Sequence, residues 1–278
     1  YIIEKNSASE DGFYSKIFSK LNYRKAGECS IEINYIEIKT SGSSASYRID
    51  NGSRELDVSV KKFNPLFGGG QGTADEPYDI NCLRHLININ YNYILAESDE
   101  DVIGNRTITG NYILRRSIYS MEAWRPIGYG YYTNAMHFDG NGYTISVDFG
   151  AEKISSNNSM YVGVFAILGG TVTDLNVVTG GLIEYNSSAL LSMGGVVGYN
   201  RGRIENCSVS GVMKAYFANT NSQSSACLGG IAGINHGTII DCTHGGTLNA
   251  TRVSVGGIAG DNYGIIERCS SISNIYGN

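Results

Sequence analysis

Four segments in the second half of the chain align with one another without gaps, and their shared pattern predicts the fold. They read GVFAILGGTVTDL (163–175), GVVGYNRGRIENC (195–207), GIAGINHGTIIDC (230–242) and GIAGDNYGIIERC (257–269). Their starts lie 32, 35 and 27 residues apart, so the aligned part is constant while the connecting loops vary in length. Similarity at periods of about 20–50 residues is typical of proteins whose units stack on one another.

Three columns of this alignment are apolar in all four segments. Two of them consist of β-branched residues, which favours strands over helices. The columns are Val164, Val196, Ile231 and Ile258; Val172, Ile204, Ile239 and Ile266; and Leu175, Cys207, Cys242 and Cys269. We therefore predict an all-β fold, a right-handed parallel β-helix (a solenoid) whose coils of three short strands stack these side chains on one another.

The segments also predict how each coil turns. The second and third apolar columns lie three positions apart, so a straight strand would point them to opposite faces. We expect a corner near residues 205–206 that turns both columns inward. Gly202 follows Asn200 by two residues, and the later segments keep this pair, which predicts a turn with positive φ. The stacked Asn side chains should hydrogen-bond along their column, starting after Leu168, which occupies it in the first segment.

Composition excludes several classes of protein. The 278 residues include 36 Gly and only 3 Pro, without the Gly-X-Y register of collagen. An apolar content of 42% argues against disorder. Lys and Arg number 21 against 26 Asp and Glu, so nucleic acid is not an expected partner. No apolar run approaches the roughly 20 residues of a membrane span, so membrane insertion is not expected.

The first part of the chain predicts a separate module. Alternating apolar residues at 47–49 and 56–60 flank Asn51-Gly52, which is typical of a β-hairpin. Alternation from Cys29 to Tyr35 predicts a further strand. Leu83, Leu86 and Ile87 predict one or two helical turns that would cover the open end of the β-helix.

These signals give the predicted domain organisation. Residues 1–66 form a small β-rich module, and residues 67–73 form a Gly-rich linker. The parallel β-helix occupies residues 74–278. Its repeats lie at about 163–180, 195–211, 230–246 and 257–272.

The third apolar column leaves two alternatives for its cysteines. Stacked coils would bring Cys207, Cys242 and Cys269 about 5 Å apart, within the Cα range that a disulfide accepts. Alternatively, buried free Cys behaves as a small apolar residue. Leu175 in the same column favours the free thiols.

Aromatic residues supply the candidate binding site. Their rings combine apolar faces with polar tips, which suits sugar or protein surfaces. The candidates are Trp124, Tyr129, Tyr131, Tyr132 and Tyr216. The alternative is that Trp124 and some of the Tyr residues cap the core.

Stacked carboxylates raise the possibility of a polysaccharide-active enzyme. Asp174, Asn206 and Asp241 share one column, and Glu205 and Glu267 share the preceding one. Neighbouring coils could place two acids within the roughly 5–9 Å that a glycosidase uses. Stacked polar residues also cover the surface of any β-helix, however. The sequence carries no recognised metal-ligand spacing and no cofactor motif, so we predict no catalytic residue, metal or cofactor.

Several motifs together resemble the GLUG-motif proteins of bacterial surfaces. They are GTADEPY (72–78), WRPIG (124–128), FDGNGYTI (138–145) and the repeated GGIAGxNxGxI pattern. The resemblance covers roughly residues 67–278. It implies a secreted or wall-attached protein with a β-helical stalk, of the kind found in adhesin-like proteins and as accessory regions of IgA-specific metallopeptidases. The motif is structural in that family, so the resemblance assigns no catalytic residue.

The leading prediction is therefore a non-catalytic, adhesin-like cell-surface segment. It would serve as a stalk or as a binding module for a host or cell-surface glycan or protein, beside neighbouring domains of the same polypeptide. The first alternative is a carbohydrate-active β-helix enzyme, a polysaccharide lyase or a glycosidase. The second is an accessory segment of a larger surface peptidase, although this chain contains no His-Glu-x-x-His motif.

Overall fold

The computed structural model describes residues 14–16, 35–41, 44–50, 55–61, 66–95, 106–129, 133–154, 159–185, 189–217 and 226–277. The chain divides into two compact units, Tyr1–Phe63 and Asn64–Asn278. Each unit is described by itself.

The first unit contains a four-stranded antiparallel sheet. Its strands follow chain order and are β1 Tyr14–Lys16, β2 Tyr35–Ser41, β3 Ser44–Asp50 and β4 Glu55–Lys61. The predicted hairpin is confirmed, because Tyr47 pairs with Val58 and Ile49 pairs with Leu56. The strand predicted from Cys29 onward lies mostly outside the described residues.

The second unit begins with short elements that precede the aligned segments. Its early strands are β5 Tyr78–Ile80, β6 Tyr93–Leu95, β7 Arg106–Ile108, β8 Asn111–Leu114, β9 Ile118–Ala123, β10 Thr133–Asn134, β11 His137–Asp139 and β12 Thr144–Ile154. The predicted helical turns are confirmed as α1 Leu83–Asn88, followed by a 3₁₀ turn at Ile89–Tyr91. Leu86 and Ile89 are fully buried in the apolar core that also holds the aligned segments.

The aligned segments lie in four layers. Layer 1 contains β13 Met160–Val162, β14 Phe165–Leu168, β15 Thr171–Thr173 and β16 Asn176–Tyr185; layer 2 contains β17 Leu191–Gly194, β18 Val197–Asn200, β19 Arg203–Glu205 and β20 Ser208–Phe217. Layer 3 contains β21 Ala226–Gly229, β22 Ala232–Asn235, β23 Thr238–Ile240, β24 Thr243–His244 and β25 Thr247–Thr251; layer 4 contains β26 Ser254–Gly256, β27 Ala259–Asn262, β28 Ile265–Glu267, β29 Ser270–Ser271 and β30 Asn274–Gly277.

Each strand pairs in parallel with its counterpart in the next layer. The pairing produces four parallel sheets: β13-β17-β21-β26; β14-β18-β22-β27; β5-β8-β11-β15-β19-β23-β28; and one that runs from β9 through β12, β16 and β20 to the last two strands of layers 3 and 4. The fold is therefore all-β with parallel sheets. The prediction of three strands per coil is wrong, since each layer contributes to four sheets.

The apolar columns stack directly in these sheets. Val172 pairs with Ile204, Ile204 with Ile239, and Ile239 with Ile266. The columns are fully buried in layers 1 to 3. In layer 4 the side chains of Ile258 and Cys269 are half-buried and that of Ile266 is exposed, because no further described strand covers them.

The predicted corner is confirmed, but the residues with positive φ are not the predicted ones. The corner residues are Asp174, Asn206, Asp241 and Arg268, with φ between 51° and 53°. Gly202 does not have a positive φ. An ideal Cβ on Gly202 would lie 2.0 Å from the carbonyl oxygen of Gly170 in the layer before. Glycine is required in this column because successive backbones approach each other closely.

The predicted Asn ladder is confirmed and begins after Leu168. Asn200 Nδ2 donates to Asn235 Oδ1 at 2.8 Å, and Asn235 Nδ2 donates to Asn262 Oδ1 at 2.7 Å. Asn235 Oδ1 also accepts a hydrogen bond from the backbone N–H of Gly237 at 3.2 Å. Asn200 and Asn235 are fully buried, so these bonds satisfy polar groups that water cannot reach.

We expect the substitution Asn235→Leu to lower the free energy of unfolding by about 2 kcal/mol. It removes the oxygen that accepts from the buried Asn200 amide and from the Gly237 N–H, and a buried polar group that loses its partner costs about 1–3 kcal/mol. The matched control is Asn262→Leu at the exposed end of the ladder, which should cost less than half as much. Urea denaturation measures both, and equal losses would contradict a role for the ladder.

The predicted linker is part of the folded second unit. The Gly68 N–H donates to the Asp79 carbonyl at 2.9 Å, and the Asp79 N–H donates to the Gly69 carbonyl at 3.0 Å. Phe67 is buried, with its ring 4.5 Å from that of Tyr78. The assignment of residues 67–73 to a linker is therefore wrong, because this segment pairs with and packs against the first strand of its sheet.

Candidate functional site

Four aromatic rings, one from each layer, follow one another across the outside of the stack. Tyr161 lies on β13, Tyr199 lies on β18, and His236 and Tyr263 follow β22 and β27. The distances between successive ring centroids are 5.6, 5.3 and 4.7 Å. We call Tyr161, Tyr199, His236 and Tyr263 the ring row.

The ring row results from the spacing of the parallel layers. Neighbouring parallel strands lie about 4.8 Å apart, which is close to the contact distance of stacked aromatic rings. The rings of Tyr199 and His236 are inclined by 25°, and those of His236 and Tyr263 by 21°. Arg201 adds a cation, with its guanidinium carbon 4.9 Å from the centroid of the Tyr199 ring.

The stacking decides which parts of the rings a ligand can reach. Tyr199, His236 and Tyr263 contact one another through their ring faces, whereas Tyr161 and Tyr199 meet edge to face at 70°. Phenol hydroxyls and imidazole edges are therefore the groups available along the row. Tyr263, at the end of the row, is 69% exposed and keeps one free face. His236 and Arg201 are also exposed. The row therefore combines hydrogen-bonding groups with one stacking surface for an extended ligand.

The predicted binding residue Trp124 is a structural residue instead. It is 7% exposed, and its indole N–H lies 3.1 Å from the carbonyl oxygens of both Gly163 and Val164. Since its ring packs in the core and its N–H is satisfied there, surface binding by Trp124 is wrong. Its position fits the alternative prediction that Trp124 caps the core.

Of the other predicted aromatic residues, Tyr129 and Tyr216 are described and lie outside the ring row. Tyr129 and Tyr216 are exposed, with Tyr216 on β20. Tyr131 and Tyr132 lie outside the described residues. Tyr129 and Tyr216 thus remain surface residues, and they provide controls for any test of the ring row.

The alignment contains only part of the signal for the ring row. It places Arg201, His236 and Tyr263 in one column, which predicts an exposed turn. Tyr199 belongs to a different column, two positions earlier in the segment, and Tyr161 lies before the aligned region. The contact between columns depends on side-chain directions, so aligning the segments cannot reveal it.

Three of the four stacked acids, Asp241, Glu205 and Glu267, form ion pairs with arginine, and Asp174 accepts a hydrogen bond from Asn206. Two nitrogens of Arg268 lie 2.7 and 2.9 Å from the carboxylate oxygens of Asp241, and Arg268 also pairs with Glu267. Arg203 pairs with Glu205 at 2.8 Å. The hydrogen bond from Arg268 holds the pKa of Asp241 below its usual value. A glycosidase general acid needs the opposite, a carboxyl whose pKa is raised.

A small groove on the outer face of β8, β11 and β15 is a weaker candidate. It has a volume of about 130 Å³ and is lined mainly by Asn111, His137, Asp139, Thr171 and Thr173. His137 Nδ1 lies 2.8 Å from Thr171 Oγ1, so these two side chains are hydrogen-bonded to each other. Ligand pockets typically measure about 300–1,000 Å³, so the groove is too small for an oligosaccharide.

Within the described ranges, no group of three or more His, Cys, Asp or Glu side chains is arranged to hold a metal ion. No helix among the described residues is long and apolar enough to cross a membrane.

Comparisons with known proteins identify one motif. A family model described as the GLUG motif matches residues 189–214. A protein of Evansella cellulosilytica, described provisionally as a Gly-rich membrane protein, is 32% identical over 146 residues, which are 52% of this chain and 16% of that protein. A crystal structure from Bacteroides ovatus, described provisionally as an immunoglobulin A1 protease, has a TM-score of 0.48 and 21% identity over 76% of this chain and 70% of its own. Residues 189–214 therefore carry a GLUG motif, which confirms the resemblance there and corresponds to layer 2.

Proposed function

We propose that this chain is a non-catalytic, adhesin-like segment of a bacterial surface protein, with the ring row as its binding surface for an extended glycan. Its layers form a right-handed parallel β-helix, which serves as a rigid stalk. The single observation that carries this proposal is the continuity of the ring row across four layers.

The β-helix is supported by the order of the strands. Each layer contributes to the same four sheets, and every pairing between layers is parallel and in register. A chain that adds strands to the same four parallel sheets, in the same order in each layer, coils around one axis and advances along it. Stacking of this kind makes a stiff rod, because each layer contacts only its neighbours and the rod grows by repetition.

A glycan fits the ring row better than a protein does. Protein interfaces of standard size bury about 800 Å² on each partner and have an apolar centre. The ring row is one ring wide, and its exposed edges carry hydroxyl and imidazole groups. Such a row suits a narrow, hydroxyl-rich chain that lies along the stack.

A surface location and neighbouring domains are also part of the proposal. The GLUG motif in layer 2 supports both. The chain spans less than a fifth of the Evansella cellulosilytica protein, which supports a segment within a longer polypeptide. The pairing of Asp241, Glu205 and Glu267 with arginine supports a non-catalytic role.

A glycan array with variants of the ring row tests the binding surface. We expect the wild-type chain to retain at least one extended glycan and Tyr263→Ala to bind it about tenfold more weakly, because a ring contact contributes about 1 kcal/mol or more. Tyr216→Ala is the matched control, since Tyr216 is exposed but lies outside the ring row, and it should leave affinity unchanged. Equal losses in both variants, or no binding to any glycan, would contradict the proposal. Cleavage of a bound glycan would instead favour the enzyme.

A further inference from the structure

Three thiols stack at the same corner of layers 2, 3 and 4. Cys207, Cys242 and Cys269 are free in the structure. Each lies near the carbonyl oxygen two residues earlier, at 3.2, 3.1 and 3.3 Å. The N–H of Cys242 also lies 3.4 Å from the sulfur of Cys269 in the next layer.

The spacing of the layers suits a covalent bond between neighbouring thiols. Parallel strands place equivalent Cα atoms about 4.8 Å apart. Disulfides accept Cα separations of about 4.4–6.8 Å. Cys242 is the middle thiol, so it has a possible partner on either side.

Access and ionisation distinguish the three thiols. Cys207 and Cys242 are buried, whereas Cys269 is half-buried in layer 4, where no further described strand covers it. A hydrogen bond from the Cys207 thiol lowers the pKa of Cys242, and the same bond raises the pKa of Cys207. Burial raises the pKa of Cys269. A reagent therefore reaches Cys269 first, and Cys242 is the thiol most ready to act as a thiolate.

We propose that Cys242 and Cys269 are a thiol–disulfide exchange site that closes into a disulfide between layers 3 and 4. The oxidant is a small-molecule disulfide such as oxidised glutathione. In the first step the Cys269 thiolate attacks one sulfur of the oxidant, forming a mixed disulfide and releasing one thiolate.

The second step completes the bond. The Cys242 thiolate attacks Cys269 Sγ and expels the second small-molecule thiolate, so the pair loses two electrons and two protons while the oxidant is reduced to two thiols. Cys207 is a positioning residue, because its thiol donates to Cys242 and takes no part in bond exchange. The product ties the uncovered layer 4 to layer 3 through a loop of 27 residues.

The test uses the full chain with Cys29→Ser and Cys82→Ser, since Cys82 is exposed and would form its own mixed disulfide. The folded protein is incubated with oxidised glutathione, alkylated under denaturing conditions and mapped by mass spectrometry without reduction. We expect a Cys242–Cys269 crosslink with Cys207 alkylated, and a midpoint of thermal unfolding raised by about 5–10 °C.

Further variants separate the three roles. Cys269→Ser should abolish both the crosslink and the mixed disulfide. Cys207→Ala should still form the crosslink, but the pH at which the second step reaches half its maximal rate should rise, because Cys242 loses its hydrogen-bond donor. Alkylation of all three thiols of the column, a persistent mixed disulfide at Cys269, or a crosslink to Cys207 when the column is unsubstituted would each overturn the proposal. These measurements need no glycan, so they are independent of the proposed binding function.

Discussion

Replacement of Gly237 by Ala should lower the free energy of unfolding of the second unit by about 3 kcal/mol or more. An ideal Cβ at this position would lie 2.1 Å from the carbonyl oxygen of Gly202 in the layer before. That oxygen cannot move away freely, because it accepts a hydrogen bond of 2.9 Å from the N–H of Thr238. Overpacking in a close-packed interior typically costs about 1–3 kcal/mol, and here the obstacle is backbone rather than a flexible side chain.

A second glycine provides the control for this prediction. Gly180 does not have a positive φ either, and the nearest atom to an ideal Cβ there belongs to Asp148 at 3.8 Å. Gly180→Ala should therefore change stability by less than about 0.5 kcal/mol. Urea denaturation followed by circular dichroism compares the two variants. A Gly237→Ala protein as stable as the Gly180→Ala protein would show that the layers can separate without cost.

The part of the fold predictable from sequence is the part that repeats. β-branched side chains recur in columns because each layer buries the same face, and Val172 and Ile204 pair as that recurrence predicts. Asn51-Gly52 likewise predicts a hairpin from local turn chemistry. Both signals are local in sequence or periodic along it, and neither depends on knowing which side chains meet in space.

The number of strands per layer and the structure of residues 67–73 could not be predicted from the sequence in this way. Strands of three or four residues, such as β18 and β19, are too short to show alternation, so two of them can be taken for one strand and a turn. Gly70 lies in a Gly-rich tract that is typical of a linker. Its positive φ of 81° and close approach to the Pro77 carbonyl instead belong to a tight turn. Only the partners of this tract, Pro77 and Asp79, which lie seven to eleven residues later, distinguish the two cases.

The candidate site was the least predictable part. Trp124 is the only Trp in the chain and lies near several Tyr residues, which suggested a surface for binding. It is buried, and its indole N–H donates to the carbonyl oxygens of Gly163 and Val164, some 40 residues later. The ring row, in contrast, was not predicted from the sequence, because Tyr199 and His236 come from different columns and contact each other only in the folded protein.

Stability of the second unit should fall by about 3 kcal/mol between pH 6.5 and pH 4 because of His244. The residue is 1% exposed, and its Nδ1 has no hydrogen-bond partner among the described residues. Burial lowers the pKa of His244 to about 4, from an ordinary value of about 6.5. Between these values the unfolded chain binds a proton that the folded chain does not, so stability rises with pH. The contribution is complete above pH 6.5.

A shape-compatible apolar residue removes this dependence. Val209 occupies the same column in layer 2, so His244→Val should fold and should flatten the stability profile between pH 4 and 6.5. His236→Gln is the control, because it removes an exposed imidazole from the same layer and leaves His244 in place. A small residual slope is expected from His85, whose pKa is also lowered by burial. Urea denaturation at pH 4.5 and pH 7 measures the difference. Valine cannot bind a proton. If His244→Val keeps the full wild-type dependence of stability on pH, the titrating group is therefore not the buried imidazole.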